Sequence, residues 1–116
     1  MSASNKNIVI LISGTGSNMA AIVRAAERGQ WARRHRARVA AVVSNKAEAA
    51  GLMLAREHGI ATAVVDHKAF DSREAFDAAL AAEIDRHQPT LVVLAGFMRI
   101  LTPGFVAHYN GRLINI

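Results

Sequence analysis

Five apolar runs constrain this chain more than any other feature: "IVILI" at 8–12, "VAAVV" at 39–43, "ATAVV" at 61–65, "LVVLA" at 91–95 and "LINI" at 113–116. All draw on Val, Ile and Leu, and none alternates strictly between apolar and polar residues. Strands covered on both faces read this way, and such coverage belongs to parallel sheets flanked by helices. Each run therefore predicts a buried strand.

Helical spacing fills the intervals. Met19, Ile22, Val23 and Ala26 recur at i, i+3, i+4 and i+7, and the pattern stops at Gly29, a suitable residue just past a helix end. A second helix is expected over 47–58 before Gly59. A third opens at "DSRE" with Asp71 as cap and Glu74 three residues on, sets Phe76, Leu80 and Ile84 on one face, and stops at Pro89. A short fourth begins at "TP", with Thr102 as cap and Pro103 in the first helical position. Strand and helix alternating with right-handed crossovers predict an α/β fold, a doubly wound parallel sheet with its first four strands in the order 3-2-1-4. Ligands bind such sheets where the order reverses, which places "SGTGSN" beside "AGFMRIL".

At 116 residues the chain is expected to be one domain, 1–116, with no linker, repeat or low-complexity tract. No apolar run approaches the roughly 20 residues of a membrane span. The opening "MSASNKN" lacks the apolar core of an export signal, and there is no cysteine, so a cytoplasmic setting is expected. The net charge of +5 is uneven: residues 1–45 hold seven Lys or Arg against Glu27 alone. Four of those arginines, Arg33, Arg34, Arg36 and Arg38, lie in "WARRHRAR", where Trp31 is the single aromatic. Without a stacking platform this run reads as a solvated connection, and no nucleic-acid partner is expected.

The stretch "ISGTGSN" at 12–18 is the strongest local signal. A glycine-bearing turn that hands a strand to a helix presents unpaired N–H groups and a partial positive charge, which suits a phosphate. The alternative is a plain tight turn with Ser17 as the helix cap. Met19 stands where the dinucleotide fingerprint needs a third glycine, and no Lys-Ser or Lys-Thr pair follows. The tip of the second strand reads "VVSNKAE", without the acid a ribose would want, although Lys46 there leaves an NADP phosphate open. In "LAGFMRIL" at 94–101 a strand gives way to Gly96 and then to Phe97, Met98 and Arg99, a segment suited either to a flat aromatic ligand or to core plus one surface arginine.

No two of the five histidines sit at i, i+4 on one helix with a carboxylate nearby, so no metal site is expected. His108 reads as a helix-surface residue. Asp66, Asp71, Glu74 and Asp77 read as caps and solvated charges. Asn115 differs, because an asparagine between Ile114 and Ile116 at the end of a buried strand needs a partner or a site.

Taken together, "NIVILISGTGSNMAAI", "VVSNKAEAAGLMLAREHGI", "FDSREAFD", "VVLAGFMRILTPGFV" and "GRLINI" resemble the N-terminal part of the phosphoribosylglycinamide formyltransferase family, from Asn7 to Ile116. "AGFMRIL" is shared with other folate formyltransferases and deformylases, whereas "SGTGSN" points to the ribonucleotide substrate. The resemblance implies transfer of a formyl group from 10-formyltetrahydrofolate to the amine of glycinamide ribonucleotide, in purine synthesis, with no metal. It implies that Gly16, Ser17 and Asn18 hold the substrate phosphate. It implies folate contacts from Arg73, Met98, Arg99, Ile100, Leu101 and Asn115, with Asn115 also the catalytic amide. Thr15 falls at a variable place in the turn.

In that family a histidine follows two residues after Asn115, then a proline-containing loop and later an aspartate, and this sequence closes at Ile116. The expectation is a substrate-binding half, inactive alone, that pairs with a C-terminal complement or self-associates. Formylation of initiator tRNA, hydrolysis of formyl folate, and a non-catalytic nucleotide-binding module are the alternatives. The basic run favours the first of these; the phosphate turn opposes it.

Overall fold

The computed structural model describes residues 5–116; the first four, part of the opening read above for an export signal, lie outside the described residues. Five strands form one sheet: β1 (Lys6–Ile12), β2 (Ala37–Ser44), β3 (Ala61–Val64), β4 (Pro89–Leu94) and β5 (Leu113–Asn115). Every pairing is parallel and the spatial order is β3-β2-β1-β4-β5. The expected arrangement of the first four strands holds, and the fifth adds beside β4.

Along β1 the two-residue period of a strand divides the core. Val9 and Leu11 face one layer, where Phe76, Leu80 and Ile84 of helix α4 (Arg73–Asp85) pack with Phe105 of α5 (Pro103–His108) and Tyr109. Ile10 and Ile12 face the other, against Met19 and Val23 of α1 (Ser17–Arg28) and Leu52 and Ala55 of α3 (Ala50–Glu57). Both faces of the central strands are dry, which is why their sequences lack polar alternation.

Several local readings change. Ser72, not Asp71, caps α4: its Oγ accepts from Ala75 N–H at 3.0 Å, which makes Arg73 the first helical residue. That helix ends at Asp85, and Pro89 instead opens β4. Gly29 sits at φ −80°, and the left-handed residue after α1 is Gln30; a Cβ on Gly29 would lie 2.8 Å from the Trp31 indole nitrogen, so packing accounts for the glycine. The second helix starts at Ala50 rather than 47. "WARRHRAR" contains a short helix, α2 (Trp31–His35), none of whose residues is buried. The Thr102 cap stands, its Oγ1 accepting from Phe105 N–H at 3.2 Å.

Strand β5 is not covered on both faces. It is an edge strand, and Ile114, Asn115 and Ile116 are all exposed. The run "LINI" carries the same apolar pattern as a central strand, but nothing packs over its outer side among the described residues.

Candidate active site

The sheet order reverses at β1, whose neighbours are β2 on one side and β4 on the other. Parallel strands leave their carboxyl ends together, so the loops after β1 and β4 meet there. A crevice of about 300 Å³ opens between them, lined by residues 13–18, Lys46, Ala95, Gly96 and Met98. "SGTGSN" and the start of "AGFMRIL" are therefore side by side, as the topology required.

The turn owes its shape to two glycines. Gly16 precedes α1 with φ +73°, a left-handed backbone that L side chains rarely adopt. A Cβ there would also meet Met19 Cε at 2.9 Å and the Gly51 backbone at 3.0 Å. Gly51, at the start of α3, is as confined: its Cβ would fall 2.6 Å from Ile12 Cδ1 and 3.1 Å from Gly16 Cα. Its N–H donates to Gly14 O at 3.1 Å, so α3 clamps the turn from behind.

Gly16 is the residue before α1, and among the described residues no side chain caps that helix; Ser17 lies inside it as the first helical residue, which corrects the reading of Ser17 as the cap. The first N–H groups of a helix have no partner within it. Here they have no side-chain substitute either, and they open beside the exposed Ser17 and Asn18. Lys46 lies across the crevice, and unpaired backbone donors beside a cation are chemistry that suits an anion of phosphate size.

Buried hydrogen bonds hold the two loops in register. Ser13, 4% exposed, accepts from Met98 N–H at 2.8 Å and donates to Asn45 Oδ1 at 2.6 Å. Asn45 Nδ2 in turn stands 3.2 Å from His67 Nδ1, on the short turn after β3. These three side chains went unassigned in the sequence, although Ser13 and Asn45 carry the signal that singled out Asn115: polar residues at the ends of apolar strands.

The segment after β4 presents Met98 and Ile100 outward, 76% and 74% exposed, while Phe97 and Leu101 pack on the core. Arg99 lies over the Phe76 ring, 5.8 Å from its centroid, with its Nε buried and unpaired among the described residues. Asp77 is not a solvated charge. It is 4% exposed, and its Oδ2 accepts from Thr102 N–H at 2.7 Å. Asp66 does cap a turn, taking Lys68 N–H at 2.9 Å, and His108 lies on the surface 2.7 Å from Asp85 Oδ2.

Of the site residues implied by the resemblance, Gly16, Ser17, Asn18 and Met98 line the crevice. Arg73 opens α4, four residues before Asp77 and so on the same helix face, but it does not line that crevice. Asn115 is exposed rather than buried; it pairs in register with Leu94, immediately before the Ala95–Gly96 bend. Among the described residues no helix is long and apolar enough to cross a membrane.

A doubly wound parallel sheet with an open crevice at its switch point defines the class, and the chain belongs to the Formyl transferase family, whose profile matches residues 6–116. It is 56% identical to the phosphoribosylglycinamide formyltransferase of Escherichia coli over 95% of this chain and 50% of that protein. It is 40% identical to the human trifunctional purine biosynthetic protein adenosine-3 over 94% of this chain and 10% of that one. The crystal structure of the Coxiella burnetii phosphoribosylglycinamide formyltransferase superposes with a TM-score of 0.88 at 44% identity, covering 97% of this chain and 51% of that one. The Brucella melitensis enzyme gives 0.88 at 46%, covering 97% and 56%. The chain thus spans about half the length of these bacterial relatives.

Proposed function

We propose that this chain is the substrate-binding half of a phosphoribosylglycinamide formyltransferase, a single unit over 1–116 that binds glycinamide ribonucleotide and 10-formyltetrahydrofolate for formyl transfer. The observation that carries this is the crevice itself, where the open end of α1 at Gly16, Ser17 and Asn18 faces Lys46 on one side and Met98 on the other. The 5′-phosphate occupies the α1 end, accepting from backbone N–H groups with Lys46 adding charge. The folate lies along the outward ridge of Met98 and Ile100, with Arg99 and Leu101 shaping its base and Arg73 meeting its acidic tail.

Chemistry then falls at Asn115, beside the β4 bend. The substrate amine attacks the formyl carbon, and the carbonyl oxygen gains the electron pair of the broken π bond. The Asn115 amide donates to that oxygen, a donor of a kind worth about 2.7–4 kcal/mol. Collapse of the tetrahedral intermediate expels the folate N10, and the proton from the amine goes to N10. The family resemblance assigns that proton to a histidine two residues past Asn115. One formyl group and one proton move and no electrons are exchanged, so the step balances without a redox partner. Small soluble substrates of this kind fit a cytoplasmic setting.

The basic run supports no RNA-directed reading. α2 precedes β2, and Lys6 N–H donates to Arg36 O at 2.7 Å, which puts the arginines at the amino ends of the strands, opposite the crevice. The outer edge of β5, with Ile114 and Ile116 about half exposed at 46% and 51%, is where a C-terminal complement or a second copy would pair. Calorimetric titration of the chain with glycinamide ribonucleotide, competed with inorganic phosphate, tests the substrate assignment. Saturable binding that phosphate displaces is expected; no binding by folded protein overturns it.

A further inference from the structure

The geometry points to Asp77 as a positioning residue that holds the outward ridge of Met98 and Ile100 against the helix that carries Arg73, an inference that rests on the folate reading of those residues. Asp77 lies in the second turn of α4, 4% exposed, between core positions Phe76 and Leu80. Its Oδ2 accepts from Thr102 N–H at 2.7 Å, and its Oδ1 is buried with no partner among the described residues. A buried carboxylate with half its capacity unmet is destabilising wherever an apolar side chain would serve. Packing does not ask for it here.

What the carboxylate does is fix the far end of the loop. Thr102 is the residue at which the 96–101 segment turns into α5, and its own Oγ1 caps that helix at Phe105 N–H. The near end is fixed by Ser13 at Met98 N–H, and the middle rests where Arg99 crosses the Phe76 ring. Of these three anchors, Phe76 and Asp77 both belong to α4. Arg73 stands one helical turn before Asp77, so a single rigid helix sets both the arginine and the ridge. Without Asp77 the ridge keeps its hold at Met98 but is free to swing at Thr102.

The test compares Asp77→Leu, which keeps bulk and removes the acceptor, with Asp77→Asn, which keeps an acceptor oxygen and removes the charge. Titrations of the 116-residue chain use tetrahydrofolate and glycinamide ribonucleotide as probes. Amide hydrogen exchange is followed at residues 98–102 and in β1. The leucine variant should bind tetrahydrofolate about tenfold more weakly, with ribonucleotide affinity within about twofold of the parent, and the asparagine variant should recover most of the loss. Exchange at Thr102 should quicken in the leucine variant alone, with β1 unchanged. Equal loss of both ligands without rescue by asparagine would reduce Asp77 to a structural residue and overturn the proposal. If the unsubstituted chain protects Thr102 through Asp77 yet takes up no tetrahydrofolate, the folate reading fails and this role for Asp77 falls with it. If folate binds and neither variant changes affinity or exchange, the positioning role fails alone.

Discussion

The Ser13 hydroxyl accepts from Met98 N–H at 2.8 Å while donating to Asn45 Oδ1 at 2.6 Å, so one buried oxygen ties the loop after β4 to the tips of β1 and β2. Both subsites of the proposed reaction hang on that link, because Gly14 begins the phosphate turn and Met98 begins the ridge. Ser13→Ala leaves the Met98 N–H and the buried Asn45 amide oxygen without this partner, and is expected to lower stability by about 1–3 kcal/mol. Affinity for ribonucleotide and for tetrahydrofolate should fall together. Urea unfolding and paired titrations check this; unchanged values in both would remove the hydroxyl from the account.

Gly51→Ala should loosen the phosphate turn from behind. The added methyl falls 2.6 Å from Ile12 Cδ1, 3.1 Å from Gly16 Cα and 3.2 Å from Thr15 O, and only the first of these can rotate away. Overpacking of this kind destabilises by about 1–3 kcal/mol. Ribonucleotide affinity should drop with tetrahydrofolate affinity nearly preserved, which titration separates. A variant that binds phosphate normally would show that the turn does not depend on the contact with α3.

Lys46 is exposed at the crevice, so its contribution should be modest and sensitive to salt. Lys46→Met is expected to weaken ribonucleotide binding roughly two- to fivefold at low ionic strength. The difference from the parent should shrink as salt is added. Equal affinities at low salt would place the phosphate away from this side chain.

Tyr109 gives a pH dependence with a definite sign. Burial, then its hydrogen bond to Asp85 at 2.9 Å and that carboxylate's charge, push the phenol well above its ordinary value, with Arg112 opposing. A group whose folded pKa is raised contributes stability that is fully present below its unfolded pKa, about 10 for tyrosine, and lost as pH climbs above it. The parent should therefore lose stability above about pH 10 more steeply than Tyr109→Phe. Unfolding free energies measured from pH 8 to 11.5 give the comparison. Parallel curves would mean that the phenol ionises as freely in the fold as outside it.

The sheet was legible because strands buried on both faces lose their polar alternation, and because right-handed crossovers leave few orders to choose among. Gly16, Ser17 and Asn18 were legible for a similar reason: they lie together in one turn. Ser13 with Asn45, Ser13 with Met98, and Asp77 with Thr102 join residues 32, 85 and 25 positions apart, and no local pattern announces such pairs. Asp77 looked like one more solvated acid because it falls near a helix start with Asp71 and Glu74, and its burial comes from the loop that reaches it at Thr102. Asn115 was misplaced in depth for a different reason. An apolar run reads alike whether a strand lies at the centre of a sheet or at its edge, and β5 lies at the edge.

Joining this chain at Ile116 to the C-terminal portion of the Escherichia coli relative, to which it is 56% identical, makes the central claim measurable as formyl transfer. The fusion should consume 10-formyltetrahydrofolate only when glycinamide ribonucleotide is present. Asn115→Ala should slow turnover by about 100- to 1,000-fold, the loss typical of one oxyanion donor. A folded fusion that binds both substrates but shows no ribonucleotide-dependent loss of formyl folate would contradict the account.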